Sequence, residues 1–321
     1  MAVALSRRDF LSIVAGGVSV AFMCGWAGAE ENKGWCRMKV ERFPNNPIIR
    51  PDMDARMGSN INGPSLIRAP EWLEKPLGRY YLYFAHHRGT YIRLAYADRL
   101  QGPWTTYEPG TLELEESLCT HHIASPDVHV DDERREIRMY YHGMTEHGQK
   151  TKVAISKDGI HFAARPEILG EFYFRAFRWG DCYYALGMPG IFYRSKDGLS
   201  DFERGPSLFS EDMRHSALKL DGNTLSVFYS NIGDRPERIL LSTIKLTPDW
   251  TTWRASKRAT VLQPLMEYEG VDLPLEPSKR GPVMSRARQL RDPAIFREGG
   301  KTYLLYSVAG EHGIAIAELK E

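Results

Sequence analysis

The chain has 321 residues, enough for one large all-β domain or two ordinary ones, and its 42% hydrophobic content supplies ample material for a core. Its 42 Lys and Arg residues balance 41 Asp and Glu residues, which leaves a net charge of +1. Proteins that bind a nucleic-acid backbone usually carry a strong basic excess, so this balance argues against a nucleic-acid partner.

The first 29 residues are predicted to be an export signal and not part of the fold. Residues 6–11 read SRRDFL, a twin-arginine pattern; an apolar run rich in Gly and Ala follows, and Ala27-Gly28-Ala29 fits a small-x-small cleavage rule. The alternative is a retained membrane anchor, but the apolar run is short and Gly-rich for a spanning helix. We expect the mature chain, residues 30–321, to work in the periplasm or outside the cell, without membrane contact after cleavage.

Three cysteines remain in the mature chain: Cys36, Cys119 and Cys182. An odd number leaves at least one free thiol, so this is not a disulfide-dense scaffold, and the pairing stays open. No Cys-x-x-Cys pair suggests zinc, and we predict no metal ligands in the functional site.

Five internal repeats organise the mature chain, with a period of roughly 40 to 60 residues. Each unit opens with a small polar group, which an apolar strand, an aromatic strand and an alternating strand follow. The units open near Asn62, Ser125, Phe174, His215 and Asp292. Short strands joined by Gly and Asp turns at this spacing predict an all-β fold, a five-bladed β-propeller, over residues 30–321. A β-sandwich is the alternative fold, and the repeat disfavours it.

The two ends of the mature chain are predicted to meet. The fifth unit ends after three strands, and residues 38–49 could supply its outer strand. Such a closure would tie the termini together and remove an open sheet edge. Residues 263–290 form the longest irregular insert, between units four and five, and their acids, prolines and glycines are typical of an ordered functional loop.

Several blade openings carry a resemblance to known proteins. RDPAIF at 291–296 with KTYLLYS at 301–307, SPDV at 125–128 and RHSA at 214–217 resemble openings in the five-bladed propeller glycosidases of families 43 and 32, the arabinanase and β-xylosidase clan. The resemblance implies a glycoside hydrolase that cleaves an oligosaccharide in the central funnel. It implies no required cofactor, and it is compatible with a structural Ca²⁺ on the propeller axis.

Glycoside hydrolysis needs one carboxyl group held protonated and a second one ionised. In such propellers every innermost strand starts near the axis, so polar side chains at those starts converge. The catalytic residues predicted on this basis are Asp127, Asp292 and Glu269. Glu269 lies in a Glu-Gly-Val-Asp segment that resembles the clan's general-acid signature. Whether the reaction inverts or retains configuration stays open.

Blade one departs from the clan. In family 43 an Asp of the first blade acts as general base, whereas here Gly63 stands in its place. Asp52 and Asp54 are the fallback candidates for the base. Glu267 and Glu276 are alternatives to Glu269 for the acid.

Ten further side chains are predicted to bind the substrate. Histidines at the funnel suit sugar hydroxyls, and arginines can clamp an anionic sugar in a bidentate manner. The ten are Asn62, His86, His87, Arg93, His121, His122, Arg175, His215, Arg280 and Arg291. The alternative for each is a strand-face charge or a satisfied polar group of the core.

Other functions fit the same scaffold. A polysaccharide lyase would use His or Tyr as the base, and a glycoside phosphorylase would need inorganic phosphate held by the arginines. The missing blade-one Asp would also suit a propeller that binds carbohydrate without cleaving it. A fold of this kind hosts several functions, so the site has to decide among them.

Overall fold

The computed structural model describes residues 38–320 and confirms the five-bladed β-propeller. The proposed signal peptide and Cys36 lie outside the described residues. Cys119 and Cys182 are both free thiols. Each blade is an antiparallel sheet in which the first strand of the repeat lies innermost and later strands follow outward.

The first two blades are built from consecutive strands of the chain. The strands of blade 1 are β2 (Asn62–Arg68), β3 (Tyr80–Ala85), β4 (Tyr91–Ala97) and β5 (Thr105–Glu113). Those of blade 2 are β6 (Thr120–Asp131), β7 (Glu136–Thr145), β8 (Gly148–Ser156) and the two short outer strands β9 (Ala163–Ala164) and β10 (Gly170–Glu171), which both pair with β8.

Blades 3 and 4 repeat this order, and blade 5 takes its outer strand from the start of the described chain. The strands of blade 3 are β11 (Arg175–Trp179), β12 (Cys182–Gly187), β13 (Ile191–Ser195) and β14 (Glu203–Ser207). Those of blade 4 are β15 (Met213–Asp221), β16 (Thr224–Asn231), β17 (Ile239–Lys245) and β18 (Ala259–Leu262). Those of blade 5 are β19 (Arg291–Glu298), β20 (Lys301–Ser307), β21 (Ile314–Lys320) and β1 (Lys39–Arg42).

The predicted ring closure is confirmed. β1 pairs antiparallel with β21, with Val40 opposite Leu319, so the chain's first described strand completes its last blade. Four three-residue 3₁₀ helices lie in connections, at Pro51–Met53, Leu114–Glu116, Trp250–Thr252 and Glu267–Glu269. Within residues 38–320, no helix has the length and hydropathy needed to cross a membrane.

The hydrophobic core is divided among the five spaces between neighbouring blades. Each space holds its own cluster of buried side chains; between blades 3 and 4, for example, Tyr184 and Phe192 pack with Trp250 and Trp253. Alternating strand residues face the two neighbouring blades, so a middle strand such as β3 is buried along its whole length. This packing holds the five inner strands around one axis.

A ring of left-handed residues marks the same point in every blade. Gly63, Ser125, Tyr173, His215 and Asp292 have φ values of 60°, 54°, 65°, 52° and 47°. In blades 1, 2, 4 and 5 this residue lies in a β-bulge of the inner strand, and in blade 3 it lies two residues before β11. Non-glycine residues adopt this conformation at a cost of about 1–3 kcal/mol, and such strain clusters at functional sites. The ring therefore locates the candidate site.

Candidate active site

The side chains of this ring meet across the axis. The Tyr173 hydroxyl, from blade 3, donates to Asp292 Oδ1 of blade 5 at 3.0 Å, and His215 Nδ1 of blade 4 lies 3.6 Å from the same oxygen. The Tyr173 and His215 rings lie 5.2 Å apart between centroids. All three residues are buried, and Asp292 Oδ2 has no hydrogen-bond partner within the described chain. Asp292 is thus held through one oxygen, while the other is buried without a partner among residues 38–320.

A second carboxylate stands beside Asp292. Glu311, in the loop between β20 and β21, is fully buried and accepts from Arg291 Nη1 at 2.8 Å. Its other oxygen accepts from the Nδ2 atoms of Asn60, at 2.7 Å, and Asn62, at 3.2 Å. His87 Nδ1 lies 3.4 Å from that oxygen. Charged partners and amide donors on both oxygens favour the ionised form of Glu311.

The two carboxyl groups have pKa values that are pushed apart. Burial raises the pKa of Asp292 above its ordinary value, and the negative charge of Glu311 raises it further. Burial also opposes ionisation of Glu311, but the hydrogen bond and charge of His87, with Arg291 and Asn60, lower its pKa below the ordinary value. The surroundings thus favour the protonated form of Asp292 and the ionised form of Glu311, which is the division of roles that acid–base chemistry on a glycoside requires.

Two histidines of blade 2 lie on another side of the site. His122 is half-buried and His142 is buried, and their rings lie 6.0 Å apart between centroids. His142 lies 6.3 Å from the Tyr173 ring, and its Nδ1 has no partner in the structure of residues 38–320. Burial, more than any other effect, lowers the pKa of both histidines. Both imidazoles therefore favour the neutral form, and His142 approaches the Tyr173 ring that binds Asp292.

Arg175 fills the hub beneath Tyr173. Its guanidinium lies 4.3 Å from the centroid of the Tyr173 ring and donates to carbonyl oxygens of blades 2, 3 and 4, among them Ser216 at 2.9 Å and Pro126 at 3.1 Å. These carbonyls would be the natural oxygen ligands of an axial Ca²⁺. Because a guanidinium already occupies them, and no metal-binding cluster of His, Cys, Asp or Glu occurs in residues 38–320, the hub does not fit a calcium ion.

Seven of the predicted site residues meet at this axial site. They are Asn62, His87, His122, Arg175, His215, Arg291 and Asp292. Arg291 is fully buried, and its guanidinium contacts three side chains. Its nitrogens lie 2.8 Å from Glu311 Oε1, 2.6 Å from Gln289 Oε1 and 3.1 Å from Glu237 Oε2. It thus fixes the Glu311 carboxylate and is not itself free to clamp a sugar.

Asp127 is not part of the axial group. It lies two residues beyond the left-handed Ser125, and its Oδ2 accepts from His129 Nε2 at 2.8 Å and from the Ala176 amide at 2.7 Å. His129 lines a separate cleft of about 310 Å³ between blades 2 and 3. Burial opposes ionisation of Asp127, but His129, Arg175 and the Ala176 amide together lower the Asp127 pKa. The carboxylate joins two blades.

Substitution of Asp127 by Asn should therefore affect stability more than chemistry. We expect Asp127→Asn to cost about 1–3 kcal/mol of unfolding free energy, because the buried bonds to His129 and Ala176 are weakened. Turnover per folded molecule should stay within about threefold of wild type, since stability alone is altered. Chemical denaturation measures the unfolding free energy, and steady-state kinetics measures turnover. A near-complete loss of kcat in a folded variant would show that Asp127 is a catalytic residue after all.

Glu269 has a structural environment. Its carboxylate is fully buried, forms a two-point ion pair with Arg42 at 2.7 and 3.0 Å, and accepts from the Tyr306 hydroxyl at 2.9 Å. It also accepts from the backbone amides of Leu265 and Met266. Every oxygen is used, so Glu269 anchors the 263–290 insert to blade 5 and does not reach the axis through any recorded contact.

The remaining predicted residues are placed as follows. Arg93 is buried and donates to the carbonyls of Asn60, Ala85 and Met57, so it supports the loop before β2. Arg280 bonds the Glu211 carbonyl at the surface. His86 accepts from the Arg88 amide, and His121 is exposed beside Thr120. The alternative carboxylates also lie at the periphery: Asp52 pairs with exposed Arg50, Asp54 caps the Arg56 amide, and Glu267 and Glu276 are exposed.

Sequence reasoning missed Tyr173, His142 and Glu311. A signal for two of them was present: a polar residue at or just after the second strand recurs as His87 in blade 1, His142 in blade 2 and Glu311 in blade 5. Such residues stand beside the inner-strand openings on the same face of the ring. Tyr173 was not predicted, because the predicted third repeat begins at Phe174, one residue after it.

Comparison with known proteins gives a relative and a fold. The chain is 37% identical over 320 residues to Uncharacterized protein R118 of Acanthamoeba polyphaga mimivirus, covering 87% of this chain and 90% of that one. No protein-family model matches the sequence.

Solved structures with the same fold include carbohydrate enzymes. A glycosyl hydrolase from Bacteroides ovatus superposes with a TM-score of 0.64 at 12% identity, covering 87% of this chain and 93% of the other. A structure from the work on mannoside phosphorylases and hydrolases of family GH130 gives 0.62 at 13% identity, covering 89% and 94%. CoXyl43, a family-43 β-xylosidase/α-arabinofuranosidase from a compost metagenome in complex with xylotriose, gives 0.59 at 14%, covering 88% and 96%. At these identities the likeness establishes the fold.

Proposed function

This chain belongs to the protein family of mimivirus R118, and we propose that it is a glycoside hydrolase whose acid–base chemistry is centred on Asp292. The observation that carries the proposal is the buried pair of carboxyl groups on the propeller axis, Asp292 with a raised pKa and Glu311 with a lowered one. The family-43 and family-130 structures with this fold support a glycoside as the substrate class.

Asp292 is the proton donor. Its Oδ1 is fixed by Tyr173, and its unpartnered Oδ2 carries the proton toward the oxygen of the leaving group. As the glycosidic C–O bond breaks, this proton neutralises the charge that develops on the leaving oxygen. The strained left-handed backbone of Asp292 holds the carboxyl group on the axis.

Glu311 acts through His87. The carboxylate is fully buried, whereas the His87 side chain is 32% exposed and lies against it through Nδ1. A carboxylate on one ring nitrogen orients an imidazole so that the other nitrogen can accept a proton. Water adds to the anomeric carbon as it gives a proton to His87, and Asp292 loses its own proton to the leaving alcohol, so the reaction balances as hydrolysis.

The exposure of the site sets a condition on access. Asp292 is only 2% exposed, so a sugar reaches Oδ2 when side chains above it move. The 263–290 insert closes over this region: the Val283 carbonyl accepts from Asn60, and Val283 packs against Gly310, next to Glu311. Met284 beside it is 52% exposed. The insert thus borders the entrance to the carboxyl pair.

The pH profile follows from the two carboxyl groups. Activity requires Asp292 protonated, so kcat/KM should fall as pH rises through its pKa, which lies above that of an ordinary Asp. Activity also requires His87 unprotonated beside the ionised Glu311, so kcat/KM should fall on the acid side as well. A bell-shaped profile shifted in this way is expected from initial rates between pH 3 and 9, a range of about six units. A profile without the high-pH fall would contradict the role of Asp292.

The experiment that tests the function is a screen of turnover. The purified mature chain is incubated with aryl glycosides of pentoses, hexoses and uronic acids and with plant or algal oligosaccharides, and the products are identified by chromatography. Release of a free sugar that disappears in Asp292→Asn supports the proposal. Oligosaccharide binding without any cleavage over long incubation favours a carbohydrate-binding propeller instead.

A polysaccharide lyase is the second candidate, and one observation favours it. The Tyr173 ring lies 6.3 Å from the His142 ring and 5.2 Å from the His215 ring between centroids, and His or Tyr is the base such a reaction uses. A lyase product carries a double bond that absorbs in the ultraviolet, whereas a hydrolase product carries none. Absorbance during turnover of uronic-acid oligosaccharides decides between the two.

Export by the twin-arginine route remains part of the proposal. It is motivated by the SRRDFL pattern and the small-residue cleavage site. Expression of the full chain in a bacterium, with N-terminal sequencing of the periplasmic product, tests it. A mature end near residue 30 is the expected result, and a product retained uncleaved in the cytoplasm contradicts it.

A further inference from the structure

The two sides of the axial site differ in charge. On the blade 5 side stand the carboxyl groups of Asp292 and Glu311, with Arg291 behind them. On the blade 2 side stand His122 and His142. This asymmetry divides the site into an acidic half and an imidazole half.

Neither His122 nor His142 forms an ion pair with a carboxylate of residues 38–320. The charged or titratable groups that influence the pKa of His142 are His122, His87 and Arg175. Those that influence His122 are His87, His121 and Arg88. None of these is a carboxylate, in contrast to His87, His129 and His161, which each lie within 3.4 Å of one.

Buried polar atoms on this side are left unsatisfied. His142 is 7% exposed and Arg175 is 3% exposed, yet His142 Nδ1 and Arg175 Nη2 have no hydrogen-bond partner in the described part of the chain. Tyr173 lies between them, 6.3 Å from His142 by ring centroids and 4.3 Å from the Arg175 guanidinium. A buried donor without a partner costs about 1–3 kcal/mol, so these atoms are built to meet a ligand.

From this arrangement we propose that His122 and His142 form an oxyanion subsite, which holds a carboxylate or phosphate group of the reacting ligands opposite Asp292. The proposal rests on the proposed function and names the chemistry of its substrate. An oxyanion would accept one N–H hydrogen bond from each neutral imidazole, and it would lie near the positive charge of Arg175, whose Nη2 has no partner among residues 38–320. Binding at this subsite would also keep the negative charge of the ligand away from the carboxyl groups of Asp292 and Glu311.

Two sources can deliver this oxyanion to the same residues. The first source is the carboxylate of a uronic-acid unit in the substrate. In that case water attacks the anomeric carbon and a free acidic sugar is released. The second source is inorganic phosphate. Its oxygen attacks the anomeric carbon while Asp292 protonates the leaving oxygen, and the product is a sugar 1-phosphate. In both cases one C–O bond breaks, one forms, and the proton of Asp292 leaves with the alcohol.

Binding is measured on the mature protein by isothermal titration calorimetry, with inorganic phosphate, glucuronate and neutral glucose as separate probes. We expect one of the two anions to bind, and His122→Ala to weaken that binding at least about tenfold, which corresponds to 1.4 kcal/mol. His161→Ala is the matched control, because His161 is exposed and pairs with Asp158 in a surface turn. His142→Asn, which preserves shape and is checked by thermal unfolding, should weaken binding similarly.

The outcomes separate the sources and the two levels of proposal. Phosphate-dependent turnover with sugar 1-phosphate as product identifies phosphate and replaces hydrolysis by phosphorolysis, whereas selective turnover of uronides without phosphate identifies the carboxylate and keeps the hydrolase. Absence of binding by both anions, or equal binding by His122→Ala and wild type, overturns the subsite. If neutral glycosides are then still hydrolysed and Asp292→Asn abolishes this, the hydrolase stands alone. If an anion binds but no glycoside is cleaved, the subsite stands and the hydrolase fails.

Discussion

Replacement of Asp292 by Asn should lower kcat by about 10²–10⁴-fold, the contribution typical of a positioned general acid. The amide has nearly the shape of the carboxyl group, and its oxygen can still accept from the Tyr173 hydroxyl at the Oδ1 position. It has no proton to give to the leaving oxygen. The loss should appear in kcat, with the folded structure preserved.

The substrate used in the measurement can separate proton donation from other roles. With an activated aryl leaving group, which needs little protonation, Asp292→Asn should retain much more of its rate than with an alkyl glycoside or an oligosaccharide. Asp127→Asn is the matched control, since it makes the same chemical change in a carboxylate held between blades 2 and 3. Equal losses in the two variants, or no loss in either, would remove Asp292 as the acid.

Replacement of Glu269 by Ala should destabilise the fold by about 3–5 kcal/mol, because it leaves Arg42 without its partner at a largely buried position. The Tyr306 hydroxyl and the amides of Leu265 and Met266 also lose their acceptor. This site joins β1, the insert and blade 5, so its loss should weaken the ring closure. Urea unfolding followed by tryptophan fluorescence gives the free energy.

Kinetics of the same variant distinguish an anchor from an acid. We expect Glu269→Ala, measured well below its unfolding temperature, to keep the pH profile of the wild type and most of its kcat. Glu267→Ala is the control two residues away, and because Glu267 is exposed it should change the unfolding free energy by less than about 0.5 kcal/mol. Loss of the high-pH limb in Glu269→Ala would show that this carboxyl group, and not Asp292, donates the proton.

The site combines a rigid scaffold with a strained lining. Four of the five left-handed residues lie at bulges of inner strands and the fifth, Tyr173, lies just before one, and these strands pack between the five core clusters. Packing in these clusters therefore stabilises the unfavourable left-handed backbone conformation at Tyr173, His215 and Asp292. A reactive group on a loop alone would not be positioned as tightly.

The sequence by itself determined the architecture of this protein. The five repeats, the period-two strands and the spare strand near Val40 are local patterns, and each demands burial against a neighbouring copy of itself. It also predicted that Asp292 and His215 converge, because both stand at the start of an inner strand, and the structure places His215 Nδ1 3.6 Å from Asp292 Oδ1.

The tertiary structure alone decided which polar groups meet. The pleat and the bulges turn Ser125 and Tyr173 to the axis, so that Asp127, two residues further on, points between blades, a difference that the one-dimensional pattern does not encode. Glu311 and Asp292 are 19 positions apart, yet their mutual influence on pKa comes from burial and through-space charge. Likewise Glu269 lies in a segment that resembles the clan's general-acid signature, but its carboxylate forms an ion pair with Arg42, 227 positions away in the chain. Distance and burial set the chemistry of a carboxyl group, and both exist only once the ring has closed.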